Sequence, residues 1–397
     1  MRDVYSNAAF CIAATAAKDG NTGLFFDRDM GVMAPVKVEL SKAIDARHVT
    51  SLDHLCGSYM LQFEKHDRSH MIDAAPLNDR AWVAQERFLS RRIIHFTHEI
   101  LFWECQESFT SETHPNRHPD RCEAGFGARS LKIWAVEHAH RRFATGHDMT
   151  GRGIEVQEAN QLYSRWCQFL KFYTGCKLTM GTDVLVALDG VSREIAAMLQ
   201  DEMIAGLWKG RLLSELCWCS YGNWSHRPPF PSAPSWSWIS TTTSIDTIYD
   251  TGSWPSLAEV QHAHVDLASS GAFARASLTL RCHPIPLSLK KGPAKSNLYG
   301  YDYVTKLSEY TVSIHLDRAV HPDGSILSEF EAFAVLLRYD SWYEAKGIVV
   351  VSCQDPPGGY KRIAFCQMDP DRGKDVSERP IPKVIKELAE LQTIELF

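Results

Sequence analysis

Four prolines fall within seven residues at 228–234, inside the segment PPFPSAPSWSW (228–238). No regular helix runs through such a segment, because each proline removes a backbone donor and its ring clashes with the preceding turn. The segment divides the chain into parts of different character. Upstream of it, Leu162, Trp166, Phe169 and Tyr173 recur at three- and four-residue spacing, the stripe of a helix with one buried face. The spacing predicts helices over 130–144, 155–174 and 183–200, and a shorter one over 203–218. Downstream of residue 240, segments at 276–282, 310–316, 333–339 and 347–353 are separated by Gly, Pro and Asp turns, which predicts a β-rich region. A last helix is expected over 382–392.

The N-terminal part is mixed. Apolar residues fill 8–16 without alternation, the pattern of a strand buried on both faces. Short strands are expected between 32 and 72. Asn78 or Asp79 can cap a helix running to about Leu89, with Arg91 and Arg92 at the end that favours cations. RIIHF (92–96) and ILFWEC (100–105) flank the turn Thr97–His98–Glu99 and read as a buried β-hairpin with two largely apolar faces. A polar loop follows over 106–127. The fold class is therefore α+β, in three regions at 1–105, 106–240 and 241–397.

Composition narrows the function classes. With 397 residues there is chain for two or three domains, and 45% hydrophobic against 23% charged residues is a globular balance. The net charge is −6 and no block of five basic residues occurs, which argues against a dedicated nucleic-acid binder. No apolar run approaches the ~20 residues of a membrane span. Eleven scattered cysteines are an odd count, and free thiols in a reducing compartment fit better than a disulfide framework. Asp3 offsets Arg2 ahead of the apolar run, so 8–17 reads as part of a domain and not as a signal peptide. A cytoplasmic protein is expected.

Few motifs carry chemistry. There is no GxxxxGK[ST], GxGxxG or GxSxG pattern, which sets aside the nucleotide-binding and hydrolase types they mark. His114, His118 and Cys122 lie four residues apart, but Pro115 and Pro119 interrupt any shared helical face and no fourth ligand is evident. No metal and no cofactor is expected. Cys217 and Cys219 sit among apolar residues and read as inert buried thiols. Trp236 and Trp238, on one side of a strand, read as core more readily than as a ligand platform.

Two carboxylates stand out. Glu86 shares a helical face with Trp82 and Leu89, and Glu104 shares a strand face with Ile100 and Phe102. A carboxylate on an apolar face must find a donor or stay neutral. Arg80, Arg87, Arg91 and Arg92 are near enough in sequence to donate. Glu86 and Glu104 are thus the catalytic candidates, with Arg80, Trp82, Arg87 and Trp103 as binding candidates. A structural salt-bridge cluster is the competing reading.

The segments DVYSNAAFCIAATAAKDGNTGLFFDRD (3–29), PLNDRAWVAQERFLSRRIIHFTHEILFWEC (76–105), AGLWKGRLLSELCW (205–218) and APSWSWIS (233–240) resemble, in order and spacing, the heterokaryon incompatibility (HET) domain proteins of filamentous fungi. ASLTLRC (276–282) and GIVVV to YKRIAF (347–365) resemble the β-rich ends of that family. Upstream stretches of the family resembling YxxLSYxWG and WIDxLCIxQ do not occur here, so the chain is expected to lack the first half of a HET domain. The resemblance implies a remnant of an α/β HET domain, a role in non-self recognition and cell-death signalling, and unidentified protein partners. It also implies a distant likeness to TIR domains, some of which cleave NAD. The leading expectation is a signalling protein without independent catalysis. The alternatives are a TIR-like NAD glycohydrolase, with a glutamate such as Glu86 stabilising an oxocarbenium-like state, and a non-functional remnant. An unpaired strand at 8–16 would favour self-association.

Overall fold

The computed structural model describes residues 2–28, 36–40, 57–61, 69–105, 108–115, 132, 156–221, 228–230, 232–247, 254–268, 272–287, 303–317, 331–339, 344–353, 355–371 and 380–397. The fold is mixed α+β. Two compact units divide the chain: Met1–Asp79 with Ser90–Gly125, and Arg80–Leu89 with Phe126–Phe397.

The first unit begins with a short helix, α1 (Arg2–Asn7), that buries no side chain. It contains strands β1 (Cys11–Ala13), β2 (Val36–Leu40), β3 (Gly57–Leu61), β4 (Arg92–Phe96), β5 (Leu101–Cys105) and β6 (Phe109–Ser111). β2 and β3 form a separate ribbon, and the other four form a sheet in the order β1-β4-β5-β6. β1 runs parallel to β4, and β4, β5 and β6 are antiparallel neighbours. The hairpin at 92–105 forms as expected, but its burial alternates strictly. Ile93, His95, Phe102 and Glu104 face the core, while Ile94, Phe96 and Trp103 are only half-buried. Ile72, Ile100, Phe102 and Phe109 make the core cluster, with the Phe102 and Phe109 rings stacked at 5.4 Å.

The strand expected over 8–16 is shorter and is not buried on both faces. Only Cys11–Ala13 pair, β1 is an edge strand, and Ile12 is 57% exposed. The chain leaves the strand because Thr15 turns inward to meet His95 and Ala16 N–H continues to the Phe96 carbonyl at 3.1 Å. A run rich in alanine buries little area per residue and does not require cover on both faces.

In the second unit, helices α2 (Ala81–Leu89), α3 (Val156–Gly175) and α4 (Asp183–Leu199) pack together. α2 and α3 meet through the Phe88 and Phe169 rings at 6.3 Å. Gly190 N–H of α4 donates to Gln85 Oε1 of α2 at 2.7 Å, and a Cβ at Gly190 would meet that same side chain at 2.8 Å. Apart from Lys132, the helix expected over 130–144 lies outside the described residues, as does most of the loop over 106–127.

The expected helix over 203–218 is corrected. Strands β7 (Met203–Ile204) and β8 (Leu207–Trp208) form a two-residue hairpin, followed by a 3-10 turn at Lys209–Arg211 and the single helical turn α5 (Leu212–Glu215). The reason is local: Ala205 (φ 47°) and Gly206 (φ 83°) both adopt positive φ, the requirement of a tight turn matching strand twist. Strands β9 (Cys219–Tyr221) and β10 (Ser244–Asp246) pair antiparallel. Between them Trp236 and Trp238 are fully buried, as core residues should be, but Trp238–Ser240 is a 3-10 turn and no strand.

Among the described residues nine further strands belong to this unit: β11 (Glu259–Leu267), β12 (Phe273–Cys282), β13 (Pro284–Leu287), β14 (Tyr303–Leu307), β15 (Tyr310–Leu316), β16 (Ala332–Tyr339), β17 (Ala345–Ser352), β18 (Tyr360–Pro370) and β19 (Gln392–Leu396). The sheet order is β11-β12-β19-β18-β17-β16-β13, with β15 on β18 and β14 on β15. All four strands expected downstream of 240 are present. The final helix α6 spans Ile381–Leu388, ending earlier than expected because the chain returns to the sheet as β19. Its Ile381, Val384 and Ile385 complete the sheet's core cluster.

Candidate functional site

Glu104 leads to a buried polar line in the first unit. Strand alternation sends it inward from β5, on the face of Phe102, and its side chain is completely enclosed. Its cross-strand neighbour is Ile93, and His95 lies diagonally beside it on β4, within the reach that same-face neighbours share. Glu104 Oε2 is 3.4 Å from His95 Nε2, and His95 Nδ1 is 3.0 Å from Thr15 Oγ1. Thr15 is fixed from its other side, because its carbonyl accepts Leu77 N–H at 3.3 Å.

Hydroxyl, imidazole and carboxylate thus stand in line. His95 Nδ1 meets the Thr15 hydroxyl, with donor and acceptor set by the imidazole tautomer, and Nε2 faces Glu104. The arrangement can hold or relay a proton. Thr15 Oγ1 also reaches the Ala13 carbonyl at 3.4 Å, so the hydroxyl is tied to backbone inside the sheet. Among the described residues, no group of three or more His, Cys, Asp or Glu is placed to hold a metal.

His95 lies beside Glu104 on the same face of the sheet. The strand pattern signalled this partner: RIIHF alternates, and its fourth residue must share the face of Ile93. Thr15 carried no signal, since it follows the end of β1.

Trp103 lies on the opposite face of β5, half-buried, across from Ile94 and Thr110. Arg80, Trp82, Glu86 and Arg87 belong to the second unit. Arg80 is exposed and its backbone bridges to Lys177. Trp82 Nε1 donates to Asp183 Oδ2 at 3.2 Å. Glu86 is half-buried on α2, as is Trp82 one turn before it, while Leu89 one turn on is buried. Arg87 is buried, and its carbonyl accepts Lys132 Nζ at 3.2 Å. His114 bonds to the Thr113 hydroxyl at 3.1 Å, while His118 and Cys122 lie outside the described residues. Cys217 is a buried free thiol, and Cys219, also free, has its pKa pushed up to about 11 by burial.

The two segments at 205–218 and 233–240 are one packing unit. Ser237 Oγ donates to the Ala205 carbonyl at 2.6 Å and Trp238 Nε1 to the Gly206 carbonyl at 2.8 Å, while Trp218 Nε1 donates to the Trp236 carbonyl at 3.1 Å.

The fold and the buried line define a two-unit α+β protein whose first unit encloses a hydroxyl–imidazole–carboxylate network. Residues 1–86 match the family model described as heterokaryon incompatibility protein (HET), which supports a heterokaryon-incompatibility-type family for this sequence. Thr15 lies inside the matched range, whereas His95, Glu104 and the segments at 205–218 and 233–240 lie beyond it. No curated protein and no solved structure matches the chain. Among the described residues, no helix is long and apolar enough to cross a membrane.

Proposed function

We propose that this chain is a HET-type protein of fungal non-self recognition that acts in the cytoplasm through protein partners and not by its own catalysis. The HET match over residues 1–86 carries the reading. The enclosure of Glu104 supports it, because a carboxylate sealed behind strands and tied to His95 stabilises a fold and meets no substrate in that state. Inducible expression of the full chain in a filamentous fungus tests the proposal, with uptake of a membrane-impermeant dye as the readout. Dye uptake without any fall in cellular NAD supports signalling through partners. Absence of cell death, alone or on fusion with incompatible strains, overturns it.

A second reading is an NAD glycohydrolase, and the half-buried position of Glu86 favours it as the more reachable carboxylate. Nicotinamide release by the purified chain, abolished in Glu86→Gln, would establish that reading instead.

A further inference from the structure

The segment at 205–218 places a second carboxylate in the interior. Glu215 is 1% exposed. Its Oε2 accepts the Trp208 backbone N–H at 3.4 Å, a long bond. The Tyr163 hydroxyl of α3 faces the carboxyl, yet neither it nor Glu215 Oε1 closes a hydrogen bond of regular geometry. The nearest cation is spent elsewhere. Arg211 lies 4.6 Å over the Tyr163 ring, and its Nη2 donates to Asn160 Oδ1 at 2.5 Å. Among the described residues no ion pair joins it to Glu215.

The surrounding elements add little charge of the right sign. From α3 the titratable neighbours are Tyr163 and Cys167, whose thiol burial pushes up to about 12. Asp201, ahead of the hairpin, acts against ionisation. On β16, Arg338 is engaged with Ser214 Oγ at 2.9 Å and with the Trp254 carbonyl. On β11, none of Glu259, His262, His264 and Asp266 is buried. A carboxylate enclosed without a paired cation is costly and keeps its proton instead.

We propose that Glu215 is a proton-operated latch: as a neutral acid it fits the enclosed place between the 203–215 segment and α3, and loss of its proton, which leaves a buried charge there, loosens that segment. Burial is the largest influence on its carboxyl, raising the pKa to about 7, while Tyr163, the Trp208 N–H and Arg211 oppose the rise. A group whose folded pKa is raised contributes its full stability below the unfolded value, and that contribution is lost as pH rises through the folded value. The window therefore runs from the ordinary glutamate range up to about 7. Across it the folding equilibrium constant of the second unit falls on the order of 100-fold.

Infrared spectra of the full chain between about pH 5 and about pH 9 provide the test, through the carbonyl band of a protonated carboxylic acid. The expected result is a band that is present at about pH 5, half lost near about pH 7, gone above it and absent from Glu215→Gln. Urea midpoints should show that Glu215→Gln, which stays neutral, lacks the loss of stability that the wild type shows as pH rises to about 7. If Glu215→Gln does not fold, Tyr163→Phe replaces it and should move the wild-type band's titration upward, since Tyr163 favours the ionised form. A wild-type chain with no such band near neutrality overturns the proposal, as does an unchanged pH slope in the glutamine variant.

Discussion

Arg362 Nε lies 2.9 Å from Asp317 Oδ2, with both side chains sealed from solvent. The same guanidinium donates to the Leu216 carbonyl at 2.5 Å and the Trp218 carbonyl at 2.6 Å, and sits 3.4 Å over the Trp218 ring. Its backbone N–H donates to Ser235 Oγ at 3.0 Å. One residue of β18 thus gathers both tryptophan-rich segments onto the large sheet. Arg362→Met should cost about 3–5 kcal/mol, because Asp317 is left buried without its counter-charge. Adding Asp317→Leu should recover part of that loss, and urea midpoints of the two single variants and the double variant measure the coupling.

Gly206 has φ +83°, and a Cβ there would lie 2.9 Å from the Trp238 indole. Gly206→Ala adds both a left-handed backbone penalty and a clash with a fully buried ring, together about 2–4 kcal/mol. Thermal unfolding followed by tryptophan fluorescence should show a large downward shift. A wild-type transition would mean that Trp238 can move aside at no cost.

The two sequence-nominated glutamates should separate cleanly. Glu104→Gln changes a fully enclosed group beside His95 and should destabilise the first unit by about 2–4 kcal/mol. Glu86→Gln, half-buried on α2, should cost less than about 1 kcal/mol. Limited proteolysis with mapping of the first cut distinguishes them, since only Glu104→Gln should open sites within 90–115.

Ile12 is exposed on an edge strand, near the equally exposed Phe10 at 51%. Such an edge templates pairing with other chains, and a lysine on it discourages pairing. Ile12→Lys should leave the urea midpoint within about 0.5 kcal/mol of wild type and reduce any concentration-dependent early elution in size-exclusion chromatography. Marked destabilisation would show that β1 is covered.

Helices α3 and α4 were readable because their apolar residues recur on one face, and β12, β15, β16 and β17 because short apolar-rich segments between Gly, Pro and Asp turns mark strands. The 203–218 segment misled the helical reading, since Leu207, Trp208, Leu212, Leu216 and Trp218 are all buried and the exposed residues are confined to the turn at 209–211. Gly206 was its one local signal. In the buried line, Glu104 was legible from alternation and His95 from the same argument on the paired strand. Thr15 was not, because contacts between distant segments leave no trace in local spacing.

The position of β19 bears on how the protein is made. β11 and β12 join the rest of the large sheet through β19, which pairs with β12 along five positions and meets β18 at Tyr360. On the ribosome, then, the β11–β12 ribbon emerges more than a hundred residues before the strand that docks it. During that interval its apolar side chains Leu278 and Leu280, core residues in the finished sheet, wait without their neighbour. Vectorial synthesis therefore leaves a sticky nascent edge until residues 392–396 appear, which makes translation speed over the intervening stretch, and holding chaperones, determinants of yield.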